Sequence, residues 1–489
     1  MPIHGRGFGV RMVVAALAAT VTIGAGAAGG GALAQPTGSA GGNGVVGTGS
    51  LTDGTAEDGV LGNGTTLVTG SVGTGSAAGT GSGNWLPPVI DSIVPAPDLG
   101  SPDIPTLQAA MLPAPVGEAF FDEYPPGLDA MANGAVIGTR DVTPVARQLL
   151  RGPVREVRQY KVKSTDAAGA PSFATATLVV PATPWAGSGP RPVLVNNVPI
   201  NSLGRDCAPG HTMANGITLS TNTFELTRPV TAKAEERGYA VLIPDHEGPR
   251  MAYGEPFVGG HSILDTIRGM RALYPDEFGD SPIAMMGYSG GSIATHGAVK
   301  LIDSYAPELA GDIVGASLGG VPADFEMLAR TMNGNLAGGL FLAALFGISR
   351  ENPEILALAN KLARQLGVSS LKDACGNKLM VLGLFQVPAE ALANVKQALD
   401  TPVAHSVYTK MRMADRKSAT PLYLYNGGQD FWVPALGTRN LYDEQCGYGV
   451  PAVYRQVPGE HFAAELTGVG DAFDWVDARL RGEPAPSEC

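Results

Sequence analysis

Five residues constrain this chain more than any others: Gly287-Tyr288-Ser289-Gly290-Gly291. They follow the apolar run Ile283-Ala284-Met285-Met286 and lead into a helix-forming stretch, residues 292–304. A strand, a sharp turn and a helix around G-x-S-x-G make a nucleophile elbow. Small neighbours let strand and helix pass close together, and glycine tolerates a strained turn. The following helix brings its N-terminal amides to the serine oxygen. A chain with 67 glycines produces bare G-x-S-x-G matches by chance, so the flanking strand and helix carry the inference.

The rest of the chain repeats the pattern. Strand-like runs at 157–162, 174–180, 192–195, 239–243 and 312–318 alternate with helical stretches at 229–237 and 263–273. Pro229 opens the first helix and Gly238 stops it; Ser262 is expected to cap the second. This alternation predicts an α/β fold with a mostly parallel sheet and helices on both faces. Residues 319–415 break the rhythm. Asn352, Pro353 and Gly367 frame a helix, Pro388–Leu399 reads as another, and Leu340–Phe346 is strongly apolar. A helical insertion there would lie as a cap over the C-terminal edge of the sheet, where ligands bind in such folds. Strands return at 422–425 and 452–457, and 471–480 reads as the last helix.

The N-terminal region does not read as folded core. Arg6 and Arg11, the apolar Met12–Ala28 and the site Ala32-Leu33-Ala34 make residues 1–34 a secretory signal. Residues 35–112, rich in Gly, Ser, Thr and Pro, are expected to be a flexible linker. The folded core is then expected over 113–318 and 416–489, with the cap at 319–415. No later stretch is long and apolar enough to span a bilayer. A net charge of −12 without a basic cluster argues against nucleic acid and anionic membranes as electrostatic partners. The four cysteines, Cys207, Cys375, Cys446 and Cys489, show no metal-ligand spacing. In an exported chain they suggest two disulfides, with three connectivities open.

A serine hydroxyl needs a base within hydrogen-bond reach, and in this fold class the order is Ser, acid, His. Three histidines follow Ser289. His296 lies two turns down the helix, and His405 falls in the cap. His461 follows a strand-like run, where the base is expected. Asp430, in the loop after 422–425, is a better-placed acid than Asp443 or Glu444, which lie further from the strand end. The Gly290 amide is one oxyanion donor. The loop 196–201 follows a central strand, and such loops supply the second.

These segments resemble the secretory lipase family of fungi and actinobacteria. The resemblance rests on Asp206-Cys207-Ala208-Pro209, Pro244-Asp245-His246-Glu247-Gly248-Pro249 and Leu264-Asp265-Thr266-Ile267-Arg268. Gly287–Gly291, Gly427–Asp430 with Pro434, and Gly459–Phe462 complete it, over roughly residues 113–489. The resemblance implies an α/β-hydrolase fold with an inserted helical cap, cleaving carboxylic esters through Ser289, Asp430 and His461. It implies the pairs Cys207–Cys375 and Cys446–Cys489. It places Asn201 where the family carries an oxyanion-hole Asp. The expected activity is a secreted lipase or carboxylesterase acting on acylglycerol or other lipid esters through an acyl-enzyme. No metal or organic cofactor is expected. The expected partner is the lipid ester, with transient contact between the cap and a lipid interface. Rival readings are an acyltransferase or peptidase on the same fold, and an inactive surface protein. The sequence leaves the natural ester, the oligomeric state and attachment to the cell envelope open.

Overall fold

The computed structural model describes residues 95–218, 221 and 229–489. The expected secretory signal and residues 35–94 of the expected linker lie outside the described residues. The structure is built on a nine-stranded sheet of order β1-β2-β3-β5-β4-β6-β7-β8-β9. The strands are β1 (Val136–Asp141), β2 (Val154–Thr165), β3 (Pro171–Pro181), β4 (Val193–Asn197), β5 (Ala240–Pro244), β6 (Ile283–Tyr288), β7 (Ile313–Gly319), β8 (Leu422–Gly427) and β9 (Ala452–Val457). The first three pair antiparallel, and β3 is also antiparallel to β5. From β5 to β9 all neighbours are parallel. Helices cover both faces, so the central strands are apolar on both sides, and β4 and β5 are buried throughout.

One face packs on helices Pro256–Leu273, Gly290–Tyr305 and Ala435–Gly447, through residues such as Ile263, Ile267, Ala298, Ile302 and Leu441. The other packs on Pro209–Asn215, Pro229–Glu236 and His461–Leu480, through Met213, Ala234, Phe473 and Val476. Between β7 and β8 the described chain is helical and turn-like, with one isolated bridge, Ala359 to Ala393.

Several elements differ from the sequence reading. The folded part begins before Pro113: Ile104–Ala110 is a helix, capped by Asp103 on the Thr106 amide, with Pro105 in its first turn. It buries Leu107 and Met111 against Leu356 and Val368, so the expected linker does not extend to residue 112. Strand β1, which the sequence reading did not anticipate, is short, and its register with β2 shifts between Val136 and Gly138. Ser262 caps nothing, because its helix starts at Pro256 with Glu255 accepting from the Val258 amide. The stretch framed by Asn352 and Gly367 is two pieces, Pro353–Leu358 and Lys361–Val368, because Asn360 caps the second on the Ala363 amide. Pro388–Leu399 is not one helix but short turns at Ala389–Leu392 and Ala398–Asp400. The last helix starts ten positions early, at His461, because Glu460 accepts from the Phe462 and Ala463 amides.

The cysteines pair as Cys207–Cys375 and Cys446–Cys489. The first ties the loop region after β4 to the helical insertion, and the second pins the C-terminus. Peptide mapping without reduction should recover these two pairs and no free thiol. Replacing Cys446 and Cys489 together by Ser should lower unfolding stability by about 2–4 kcal/mol, measured by denaturant titration.

Candidate active site

Ser289 sits between β6 and the helix Gly290–Tyr305, with φ 50° and ψ −121°. A non-glycine residue holds such a backbone only where its surroundings fix it. The Ser289 amide donates to the Gly319 carbonyl on β7 at 2.9 Å, and its own carbonyl accepts from the Ser292 and Ile293 amides. The glycines around it are required by space. A Cβ on Gly291 would lie 1.8 Å from the Asn197 carbonyl oxygen, and one on Gly287 would lie 2.4 Å from Thr295 Oγ1. Strand β4, strand β6 and the helix can meet only if both positions are bare.

His461 begins the C-terminal helix just past β9, and Asp430 follows β8. Ser289 Oγ lies 2.9 Å from His461 Nε2, and His461 Nδ1 lies 2.6 Å from Asp430 Oδ2. The other Asp430 oxygen accepts from the Trp432 and Val433 amides at 3.0 and 2.8 Å, which fixes the carboxylate. Asp430 and His461 are buried. The competing candidates lie elsewhere. His296 is buried in its helix. The His405 side chain is 49% exposed and faces Glu326. Asp443 pairs with Arg439 on the surface, and Glu444 pairs with Lys300.

The Gly290 amide opens the helix, where an N–H has no intrahelical acceptor. Asn201 lies against it: a Cβ on Gly290 would meet Asn201 Oδ1 at 1.8 Å. Asn201 has φ 49°, and its Oδ1 is buried without a partner among the described residues. A half-turn of the amide exchanges its oxygen and its NH2 group. Ser289, His461 and Asn201 line one cavity with residues from the helical insertion, including Leu340, Phe341, Val407 and Tyr408.

A family profile described as secretory lipase matches residues 213–488. That is more than half of the chain. The chain belongs to the secretory lipase family. Lipase 2 of Candida albicans is 27% identical over 406 residues, covering 79% of this chain and 86% of that protein. A Mycobacterium tuberculosis protein named "probable inactive lipase" is 26% identical over 397 residues, covering 79% and 87%. The X-ray structure of Candida antarctica lipase A matches with a TM-score of 0.67 and 25% identity, covering 78% of this chain and 89% of that one. The fold is the α/β-hydrolase fold, and family membership places the chain among hydrolases that act on esters.

In this secretory lipase, several cavity residues escaped the sequence reading. Burial alone would push the His461 imidazole down, but the charge and hydrogen bond of Asp430, with Glu465 and Glu460, outweigh it and leave the pKa raised. Tyr288, inside the elbow motif, donates its hydroxyl to the His461 carbonyl at 2.5 Å. Trp432 packs beside the imidazole, ring centroids 5.9 Å apart. Glu465 is the one carboxylate among the described residues lining the cavity. Burial raises its pKa, partly offset by His461. Its signal was its place four residues after His461, visible only once the helix start is known. The one cluster of metal-type ligands among the described residues, Asp206, Cys207 and Cys375, has both sulfurs in a disulfide.

Proposed function

We propose that this secretory lipase is a serine hydrolase in which Ser289 is the nucleophile, His461 the general base and Asp430 the group that orients it. The observation that carries this reading is the continuous Ser289–His461–Asp430 hydrogen-bond chain at 2.9 and 2.6 Å. His461 Nε2 takes the serine proton as Oγ attacks the ester carbonyl. Asp430 stabilises the imidazolium. The Gly290 amide and the Asn201 side chain hold the oxyanion. The imidazolium then protonates the leaving alcohol, and water activated by His461 releases the acid. Residues 319–415 act as a cap whose apolar wall takes the acyl chain. Exposed Leu384 and Phe385, 56% and 72% accessible on the insertion, suit transient contact with a lipid interface. Residues 1–34 serve export, and the expected linker up to the helix at Ile104 serves as a spacer that can leave the enzyme near the cell envelope. Labelling with a fluorophosphonate probe tests the reading: an active site of this kind is modified at Ser289, and an inactive scaffold is not.

The base works only when neutral, so activity falls as pH drops through the His461 pKa. That pKa is raised above its ordinary 6.5. The acid limb of kcat/KM on p-nitrophenyl butyrate should therefore have its midpoint above pH 6.5. Glu465→Gln removes a negative charge that favours the imidazolium, so it should move the limb to lower pH. An unmoved limb would separate Glu465 from His461 electrostatically.

The apolar insertion helix Gly338–Ser349 has two working sides. Phe341 lines the cavity with Ser289, whereas Phe346 packs on the far side, near Met111 and Gly367. Phe341→Ser puts a hydroxyl into the chain wall and should reduce hydrolysis of octanoate esters about tenfold more than that of acetate esters. Phe346→Ser should lower thermal stability and leave chain-length preference unchanged.

A further inference from the structure

Asn201 holds a left-handed backbone, φ 49°, without being glycine. Such a conformation persists only where neighbouring contacts over-determine it. Those contacts come from the loop after β5, two residues of which hold the Asn201 loop from either side. His246 Nε2 lies 2.8 Å from the Val198 carbonyl oxygen. A carbonyl only accepts, so Nε2 carries the proton. Glu247 Oε1 accepts from the Ser202 amide at 3.4 Å, and the carboxyl lies beside the Asn201 amide. Both side chains are buried, 3% and 4% exposed. Ser202 Oγ closes the turn by donating to the Ile200 carbonyl at 2.7 Å.

We propose that Glu247 and His246 are positioning residues that hold the Asn201 loop in the conformation that places the Asn201 side chain against Gly290. This rests on the reading of Ser289 as nucleophile and Asn201 as oxyanion donor. Glu247 is a costly residue for packing alone. Its Oε2 has no partner among the described residues, and a buried polar atom left so destabilises the fold. Glu247 is also a counter-charge to the buried Arg350 guanidinium, so its structural contribution is separated from positioning by the Asn201→Ala background below. What an apolar residue cannot do is accept from the Ser202 amide, next to Asn201 in the turn. His246 fixes the near end of the same loop, three residues before Asn201. The two contacts act through Asn201 and touch no substrate.

The test uses the purified enzyme, p-nitrophenyl butyrate, and folding checked by circular dichroism and thermal unfolding. Glu247→Gln keeps an acceptor for the Ser202 amide and should stay within about threefold of wild type in kcat. Glu247→Leu should lower kcat about 10–100-fold with KM within about twofold. In an Asn201→Ala background the same Glu247→Leu change should cost less than about threefold, because the group it positions is already gone. His246→Phe should act in the same direction, and it carries the test if Glu247→Leu does not fold. Wild-type kcat in folded Glu247→Leu and His246→Phe enzymes would overturn the proposal. So would a Glu247→Leu loss that multiplies in full on Asn201→Ala, since that marks a role independent of Asn201. An Asn201→Ala enzyme with normal kcat, beside a dead Ser289→Ala control, would also overturn it while leaving the serine mechanism standing. An active Ser289→Ala control would instead remove the mechanism itself.

Discussion

Ser289→Ala should fold as the parent does and lose about 10⁴-fold or more in kcat on p-nitrophenyl butyrate. The change deletes one oxygen. That oxygen is the only atom of Ser289 in the hydrogen-bond chain to His461 and Asp430, so the base keeps its place and has nothing to deprotonate. The backbone at φ 50° is held by main-chain bonds from Gly319, Ser292 and Ile293, and alanine can make all of them. Stability should therefore be nearly unchanged, and fluorophosphonate labelling should disappear with activity. Residual activity within about tenfold of wild type would mean that another nucleophile does the work.

The elbow is legible in the sequence because its cause is local. Bare positions at 287 and 291 are needed where β4, β6 and the helix converge, and the apolar run before them announces the strand. The nearness of Asp430 and His461 to Ser289 is legible for a related reason. In a parallel sheet the chain emerges from every strand at the same edge, so residues just after β8 and β9 reach the edge where Ser289 stands. The cysteine pairing was not legible from spacing; it came from the family resemblance.

What the sequence hides is of two kinds. One is the start of the last helix. Glu460 caps it, and glutamate is a weaker N-cap signal than Ser, Thr, Asp or Asn; Pro458-Gly459 just before it reads as loop. Missing that start also hid Glu465, one helical turn beyond His461. The other kind is contact between loops. Glu247 meets Ser202 across 45 positions and His246 meets Val198 across 48. No periodicity links such pairs. In the insertion, Asn360 starts a new helical piece by capping the Ala363 amide, and the left-handed backbone at Gln397 precedes the short turn Ala398–Asp400; both interrupt stretches that read as continuous helices.

Asn201→Ala should lower kcat about 10²–10³-fold with little change in KM. The substrate carbonyl carries little charge in the ground state, so a donor aimed at the developing oxyanion acts mainly in the transition state. Two observations motivate this expectation: Asn201 lines the cavity with Ser289, and its side chain lies against Gly290. Its amide oxygen is buried with no partner among the described residues, which is unusual for a residue that serves only as a turn, because a turn asparagine bonds to nearby backbone. The pH profile separates the two roles further. An amide donates at every working pH, so wild-type activity should fall only on the acid side, where His461 takes up a proton. An aspartic acid donates only while protonated. Asn201→Asp should therefore add a second loss of activity as pH rises, since the ionised carboxylate cannot donate and repels the oxyanion. Measuring kcat across pH for wild type and both variants decides the matter. A near-normal kcat in Asn201→Ala, or a wild-type profile in Asn201→Asp, would leave the Gly290 amide as oxyanion donor without Asn201 beside it.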